Sequence, residues 1–314
     1  AIATTAGAAV FSAVSGSSMA CAATFGKIAY PEMKRAGYDT RLAAGVIAAG
    51  GSMDVMIPPS NAFIVIGILA QLSIGKLFIA GIVPGIIQMV VYMGTISLLC
   101  WINPHYGPAG PPTSFKQKMV DMYRTWPVLV LFVLVIGGLY AGIFTPTEAG
   151  GIGAFFTFLI ALVRRQWTRL SLFEALFDTA KTSSMLIMML IGSFIFNAFM
   201  AVSRIPNIAS EWIVGMPVSP VVILIVLMIV YVVLGCLFDM YAVLILTIPI
   251  VYPTVQMMGY DPIWWSVVMV MLCEIGFITP PVGINLFVLG GTIDAGMGDI
   301  IRGVIPFVSQ ISLF

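Results

Sequence analysis

FITPPVGINLF, from Phe277 to Phe287, places two consecutive prolines in the middle of a run that is otherwise apolar. Proline has no backbone N–H to donate, and its ring clashes with the preceding turn, so a proline pair divides a helix into two halves. The carbonyl and amide groups freed at such a break are unfavourable in an apolar environment unless another group satisfies them. The stretch therefore predicts a broken apolar helix with a buried polar site at the break.

The composition is typical of a membrane protein. Of the 314 residues, 60% are hydrophobic and only 9% are charged, and the mean hydropathy is +1.08. Apolar runs long enough to cross a bilayer core, which takes about 20 residues of helix, recur along the whole chain. We expect an all-α polytopic membrane protein embedded in a lipid bilayer. The net charge of +1 gives no indication of nucleic acid as a partner.

The basic residues predict which connections face the cytoplasm. They concentrate in three connections, 27-41, 103-125 and 164-181, and the positive-inside rule places all three in the cytoplasm. Counting the apolar segments between them as single crossings also puts all three on one side. Two further segments, 1-26 and 219-251, have polar residues near their middle. We predict that each is a re-entrant hairpin, which membranes tolerate only inside protein or beside water.

An internal repeat relates the two halves of the chain by a constant difference in residue number, here called the repeat shift. Tyr30-Pro31 recurs as Tyr252-Pro253, since 252 − 30 = 222, and Pro58-Pro59 recurs as Pro280-Pro281. The repeat shift also aligns the centres of the two predicted hairpins, AVSGSS (13-18) and GCLFDM (235-240). Loop 27-41 carries four basic residues, whereas its copy at 252-262 carries none. The copies are therefore predicted to face opposite sides of the membrane, as in the inverted-topology repeats of many secondary transporters.

The repeat divides the chain into three parts. The first repeat, 1-102, contains a hairpin, a cytoplasmic loop, a broken helix at 42-72 and a helix at 77-102. Connecting helices with two basic cytoplasmic loops occupy 103-181, and the second repeat, 182-314, contains the hairpin 219-251 and the broken helix 263-293. Two broken helices facing two hairpin tips would enclose one central site, because the ends of half-helices present dipoles that suit a carboxylate or Na⁺.

Four acidic residues lie within apolar segments: Asp54, Glu148, Asp239 and Glu274. Such residues indicate function in a membrane, although structural pairing or a helix end explains others. Asp239 lies at the second hairpin tip and is the leading functional candidate among them. Asp54 and Glu274 each lie within six residues of a proline pair, so they either act in ion coupling or anchor the broken helices.

Motifs for catalysis are missing from the sequence. His105 lies in the polar loop NPHYGP and is interpreted as a solvated residue rather than a metal ligand. There is no GxSxG, HExxH, P-loop or Cys/His cluster. We therefore expect a transporter rather than an enzyme, with no cofactor and no ATP hydrolysis by this chain.

Six stretches resemble the large membrane subunit of tripartite ATP-independent periplasmic (TRAP) transporters. They occur in family order over nearly the whole chain: SGSS (15-18), YPEMKRAGYD (30-39), IPPS (57-60), LFIAGIVPG (77-85), GIFTPTEAG (142-150) and EIGFITPPVGINLF (274-287). The resemblance implies Na⁺-coupled uptake of an organic anion by an elevator movement in the bacterial inner membrane. The anion is usually a carboxylate such as a C4-dicarboxylate, a keto acid or a sialic acid. The resemblance also implies two partners, a periplasmic substrate-binding protein and a small membrane subunit that is either separate or fused.

The resemblance further implies a substrate and Na⁺ site at the hairpin tips and helix breaks. In the first half the matching residues are Ser15, Gly16, Ser17 and Ser18 at the tip, with Pro58, Pro59, Ser60 and Asn61 at the break. In the second half they are Gly235 and Asp239 at the tip, with Thr279, Pro280, Pro281, Gly283 and Asn285 at the break. The polar side chains would be ligands, and the glycines and prolines would shape the backbone.

The chain departs from the family pattern in two respects. Asp54 stands where the family usually has a small residue, and family members usually have further segments before the first hairpin and a longer tail. Three other functions stay open: a stand-alone ion-coupled carboxylate carrier that needs no binding protein, a channel, and, least favoured because no catalytic motif is found, a membrane-embedded enzyme.

Overall fold

The computed structural model describes residues 1–15, 17–108, 126, 130–131, 133–165 and 168–311. Throughout these residues the regular structure is helical, without a strand, which confirms the all-α prediction. The chain divides into two compact units, one formed by residues 1–110 and 200–314 and the other by residues 111–199.

The first part of the larger unit contains five helices and one short 3-10 turn. In chain order they are α1 (Ile2–Ser15), α2 (Ser18–Arg35), α3 (Thr40–Ser52), the 3-10 turn Met53–Val55, α4 (Asn61–Leu69) and α5 (Ile74–Ile102). The helix predicted at 42-72 is thus interrupted between Val55 and Asn61, on either side of Pro58-Pro59.

The smaller unit contains the helical residues 133–140, here α6, then α7 (Pro146–Val163) and most of α8 (Arg169–Ser203). Leu131, Val135 and Ala149 form its apolar core among the described residues. Thr145 and Glu148 begin α7 by reciprocal capping, because the Glu148 carboxylate accepts from the Thr145 backbone N–H at 2.8 Å and the Glu148 N–H donates to Thr145 Oγ1 at 3.3 Å. Of the two interpretations of Glu148, the structure favours a helix end.

The larger unit continues with α9 (Ile205–Val214), α10 (Pro220–Leu237), α11 (Met240–Met257), α12 (Pro262–Ile278), α13 (Ile284–Gly290) and α14 (Met297–Ile311). The repeat shift carries the bounds of α2 onto those of α11, and it carries the first residue of α3 onto the first residue of α12. The left-handed glycines before these helices, Gly37 (φ 83°) and Gly259 (φ 85°), obey the same shift.

Equivalent residues also cap the equivalent helices. Ser17 Oγ accepts from the Ala20 N–H at the start of α2, and Asp239 Oδ1 accepts from the Tyr241 N–H at the start of α11. Asp39 and Asp261 cap α3 and α12 in the same way. A side-chain oxygen at this position satisfies one of the free N–H groups of the first turn, so the residues at the predicted hairpin tips also fix where the helices begin.

Three predicted connections were wrong in part. Residues 27–35 of the first basic connection belong to α2, residues 169–181 of the third belong to α8, and the copied connection at 252-262 is helical as far as Met257. The end of an apolar run is not the end of the helix here, because a helix can continue into water with basic side chains near its carboxyl end. Residues 109–125 of the second basic connection lie outside the described residues.

Within the described part of the chain, four helices, α5, α8, α10 and α11, are long and apolar enough to cross a membrane. Large apolar side chains lie exposed on several of them, for example Val83, Ile187 and Ile229, and such surfaces suit lipid. These features agree with a polytopic membrane protein. The re-entrant course of the two hairpins stays a prediction.

Candidate substrate and ion site

The two proline pairs interrupt their helices in the same way. Helix α12 ends at Ile278 and α13 begins at Ile284, while the 3-10 turn ends at Val55 and α4 begins at Asn61. In each break a side-chain hydroxyl donates to a carbonyl of the preceding helix end: Thr279 Oγ1 to Ile275 O at 2.6 Å, and Ser60 Oγ to Val55 O at 2.5 Å. The peptide bonds Pro58-Pro59 and Pro280-Pro281 are both cis.

The second helix of each hairpin pair packs on the half-helix that follows the break in the other repeat. Helix α2 packs against α13, and α11 packs against α4. At Gly26 of α2 an added Cβ would lie 3.0 Å from Leu289 Cδ1 of α13, so the two helices are in close contact there. Since the repeat shift exchanges α2 with α11 and α4 with α13, the two contacts are equivalent. The predicted tips and breaks of both repeats therefore belong to one packed assembly.

The first helix of each pair packs on the helix that precedes the break of its own repeat, α1 on α3 and α10 on α12. A Cβ on Gly276 would lie 2.4 Å from the carbonyl carbon of Gly235. Glycine at both positions thus lets the backbones of α10 and α12 touch beside the second tip. The repeat shift places Asp54 at the position equivalent to Gly276, so the departure from the family pattern lies at the corresponding contact of the first repeat.

Asp54 links the first tip to the first break. Its side chain is only 3% exposed, and the backbone N–H groups of Ser18 and Val55 lie against its carboxylate. Its Oδ1 atom has no hydrogen-bond partner. Asp54 also interacts electrostatically with Glu274 of the second repeat. This placement is consistent with either interpretation of Asp54, coupling or anchoring, and it brings the residue into the predicted site.

Tyr241 connects the second tip to the first break, and sequence reasoning missed it. Its hydroxyl is hydrogen-bonded to the side chain of Asn61 and interacts electrostatically with Asp54 and Asp239. Asp239 itself is partly buried and caps α11 through the Tyr241 N–H at 2.9 Å. The only sequence signal for Tyr241 was a hydroxyl-bearing side chain two residues after the acidic tip residue.

The second break holds a buried amide without partners. Asn285 is fully buried, and neither its Nδ2 nor its Oδ1 has a hydrogen-bond partner. Gly283, directly before α13, has φ +52°, a left-handed conformation that favours glycine. Buried amides are normally satisfied, so an unpaired one calls for an explanation such as an absent ligand. An amide oxygen suits a hard cation such as Na⁺, and the residues at this break therefore fit the ion that the resemblance implies.

The remaining predicted site residues are placed as follows. Pro58, Ser60 and Gly235 are buried, Ser18 is 8% exposed, and Pro59 and Pro281 are exposed. Thr279 and Pro280 are half-buried. Ser15 is the last residue of α1, while its side chain and the whole of Gly16 lie outside the described residues. The described contacts join Ser18, Asn61 and Asp239 through Asp54 and Tyr241. They do not include a direct hydrogen bond from these residues to Asn285.

A second polar cluster surrounds Glu274. Ser52 Oγ donates to Glu274 Oε1 at 2.9 Å, and Gln88 Nε2 donates to the same oxygen at 2.6 Å. Gln88 Nε2 also lies 3.2 Å from the Tyr92 hydroxyl, and all four side chains are buried. Sequence reasoning identified Glu274 alone. Gln88 could have been found as a polar residue inside the apolar run IIQMV, because buried polar side chains in a membrane need a partner.

Membrane-spanning apolar helices, a doubled element order and two broken helices in mutual contact define the class: a polytopic membrane protein built from two repeats. The sequence profile of the family described as "Tripartite ATP-independent periplasmic transporter, DctM component" matches residues 1–314. The chain belongs to this family, which confirms the resemblance found in the sequence.

Named relatives support the assignment over nearly the whole chain. The C4-dicarboxylate TRAP transporter large permease protein DctM of Pseudomonas aeruginosa is 33% identical over 306 residues, which cover 97% of this chain and 71% of the relative. The 2,3-diketo-L-gulonate TRAP transporter large permease protein YiaN of Escherichia coli is 33% identical over 307 residues, which cover 95% of this chain and 70% of the relative. The isethionate TRAP transporter permease protein DctMQ of Oleidesulfovibrio alaskensis is 34% identical over 303 residues. That match covers 95% of this chain but only 47% of the relative.

Proposed function

We propose that the chain is the large permease subunit of a TRAP transporter that couples the uptake of an organic anion to Na⁺ in the bacterial inner membrane. The observation that carries the proposal is the reciprocal packing of α2 on α13 and α11 on α4. This packing supports a common site for the predicted hairpin tips and helix breaks of both repeats. Site residues from both halves of the chain can therefore act on one ligand.

The substrate class follows from the helix ends and from the relatives. Helix α4 begins directly after the first break, so its first N–H groups and its dipole favour an anionic group there. The relatives named above carry C4-dicarboxylate, 2,3-diketo-L-gulonate and isethionate in their names, and all three are organic anions. We propose a carboxylate as the substrate; a sialic acid also belongs to this class, and one further relative is named a sialic acid TRAP transporter large permease protein.

We assign Na⁺ to the oxygens at the tips and breaks. Asn285 offers an unpaired amide oxygen, and the break between Ile278 and Ile284 adds backbone carbonyls of residues that lie outside both helices. Ser60, Asn61, Asp239 and Thr279 supply further oxygens in the same two breaks and at the second tip. None of the side chains named here carries a positive charge, so a bound Na⁺ would supply the positive charge that the anion needs. What this chain contributes is the placement of the oxygens.

The proposal includes the movement and the partners implied by the resemblance. The two hairpins enter the membrane and return, and they move with the broken helices in an elevator mechanism. A periplasmic binding protein delivers the anion, and a small membrane subunit, separate or fused, assembles with this chain. The relatives are named permeases, which supports a transporter rather than an enzyme.

Uptake by proteoliposomes tests the proposal. The complete transporter containing this chain is reconstituted, and uptake of labelled C4-dicarboxylates, keto acids and sialic acid is followed with a Na⁺ gradient or an equal K⁺ gradient, each with and without the binding protein. We expect saturable uptake only when Na⁺ and the binding protein are both present. Uptake without the binding protein would instead identify a stand-alone carrier. Uptake that K⁺ supports equally would contradict Na⁺ coupling, and flux that does not saturate would indicate a channel.

A further inference from the structure

Glu274 is a buried carboxyl group without a cationic partner. It lies on α12, four residues before the helix ends at the second break, and is 0% exposed. Among the described residues the two ion pairs are Arg35 with Glu32 and Arg41 with Asp299, and neither involves Glu274. Its two hydrogen bonds come from neutral groups, the Ser52 hydroxyl and the Gln88 amide, and both reach the same oxygen, Oε1. The second carboxyl oxygen, Oε2, has no hydrogen-bond partner.

Two buried acceptor oxygens in this cluster have no donor. They are Glu274 Oε2 and Gln88 Oε1, and they belong to the two groups that the 2.6 Å hydrogen bond already joins. An amide and a neutral carboxylic acid form a reciprocal pair, in which the amide N–H donates to one carboxyl oxygen and the acid O–H donates to the amide oxygen. A proton on Oε2 supplies the missing donor. An ionised carboxylate would leave both oxygens unpaired in the interior, which is unfavourable.

The position of the pair in the fold also favours a neutral acid. Gln88 is the central residue of α5, equally far along the chain from Ile74 and Ile102, and α5 is one of the helices able to cross a membrane. A charge at mid-depth of a membrane is unfavourable. The titratable groups that interact with Glu274 are Asp54 of the 3-10 turn and Tyr92 of α5. Neither is a cation, and a negative charge on Asp54 opposes a second one on Glu274.

We propose that Glu274 and Gln88 form a proton-binding site, in which Glu274 is a neutral carboxylic acid paired with the Gln88 amide. A proton fits better than Na⁺, because a metal ion needs several oxygen ligands at once, whereas one proton shared between Glu274 Oε2 and Gln88 Oε1 satisfies both of these unpaired oxygens. The nearest hydroxyl, Ser52 Oγ, already lies 2.9 Å from both Ala49 O and Glu274 Oε1. The site joins α12 to α3 and α5. It shares no residue with the proposed Na⁺ and anion site, and it does not depend on the proposed function.

Infrared difference spectroscopy on the purified complete permease tests the protonation directly. We expect the wild type at neutral pH to show the C=O band of a protonated carboxyl group, and we expect Glu274→Gln to lose that band. The control Glu211→Gln replaces an exposed carboxylate on α9 and should leave the band unchanged. A band that Glu274→Gln does not reduce would overturn the proposal. So would a band that disappears when K⁺ is replaced by Na⁺, since the site would then hold a metal ion.

Thermal unfolding provides a second test that allows for misfolding variants. Glutamine is the amide counterpart of a neutral acid and can form the same reciprocal pair with Gln88. The Glu274→Gln variant should therefore unfold near the wild-type temperature, whereas Glu274→Ala should unfold at a lower temperature. The exchanged double variant Glu274→Gln with Gln88→Glu should also stay near wild type. Because the folded wild type would hold one proton more than the unfolded chain, its stability should fall as pH rises, and that of Glu274→Gln should not. A Glu274→Gln variant as unstable as Glu274→Ala would show that the ionised carboxylate is required.

Discussion

Ser52 and Glu274 are 222 residues apart in the chain, and the Ser52 hydroxyl donates to the Glu274 carboxyl group at 2.9 Å. Their separation equals the repeat shift, so Ser52 in the first repeat and Glu274 in the second repeat occupy equivalent positions. Two equivalent positions can touch only near the axis that relates the repeats. The hydrogen bond therefore places the end of α3 and the last turn of α12 near the axis that relates the two repeats. The opposite orientation of the repeats in the membrane stays a prediction.

The first prediction concerns this hydrogen bond. Ser52→Ala removes one of the two donors to Glu274 and should lower the free energy of unfolding by about 1–3 kcal/mol, the usual effect of leaving a buried polar group less satisfied. The apparent unfolding temperature of the purified permease is the measurement. Ser97→Ala serves as the control, because Ser97 is exposed and bonds only to Met93 O of its own helix. Equal effects of the two substitutions would show that the Ser52 contact contributes nothing specific.

The second prediction concerns the contact between α3 and α14. A Cβ added to Gly45 of α3 would lie 2.1 Å from the carbonyl oxygen of Gly303 in α14, so the helices must separate to admit it. We expect Gly45→Ala to destabilise the protein by about 1–3 kcal/mol, as overpacking does. Gly94→Ala on α5 is the matched control, since an added Cβ there meets no atom within 4 Å. Unfolding temperatures that fall equally in both variants, or in neither, would contradict this account of the α3–α14 contact.

The third prediction concerns the proline pairs. Replacing Pro280-Pro281 by Ala-Ala restores the missing N–H groups and lets α12 continue towards α13, which removes the free carbonyls of the break. Na⁺-dependent uptake should be abolished, while membrane insertion, measured by fractionation, should be retained. Replacing Pro58-Pro59 should have the same effect.

The control for the proline pairs is Pro84→Ala, a proline inside the continuous helix α5. It should leave most uptake intact. Undiminished uptake by either Ala-Ala variant would exclude that break from the transport site.

The fourth prediction separates the charge of Asp239 from its capping role. Asn caps helices about as well as Asp, so Asp239→Asn should keep the start of α11 while removing a negative charge at the second tip. We expect half-maximal uptake to need a higher Na⁺ concentration. Asp261→Asn, at the cap of α12, is the control because it makes the same change at another helix start. Na⁺ activation curves that coincide with wild type for Asp239→Asn would remove this residue from the coupling site.

The sequence predicted the helix breaks and the repeat because both rest on local chemistry. Proline pairs interrupt helices wherever they occur, and the repeat shift is visible in Tyr30-Pro31 and Tyr252-Pro253 without any knowledge of contacts. Helix ends were less predictable. Helix α2 runs on past its apolar segment to Arg35, because hydropathy marks the membrane boundary and not the end of the hydrogen-bonded helix.

The partners of the buried polar residues could not be predicted from the sequence. Glu274 contacts Gln88 across 186 residues and Ser52 across 222, and Tyr241 meets Asn61 from another repeat. Such contacts depend on how α3, α5, α11 and α12 pack, which no local pattern specifies. Asp54 illustrates the difference: its acidic character inside an apolar segment was evident, whereas its position against the Ser18 backbone followed only from the packing.

The most direct test of the central claim, that the tips and breaks form a Na⁺ site, is the effect of Na⁺ on the unfolding temperature of the purified complete permease. A ligand that binds only the folded state stabilises it, so wild type should unfold at a higher temperature in Na⁺ than in K⁺ at equal ionic strength. Asn285→Ala should abolish that difference. Equal unfolding temperatures of the wild type in Na⁺ and K⁺, or a Na⁺ effect that survives Asn285→Ala, would contradict the proposed site.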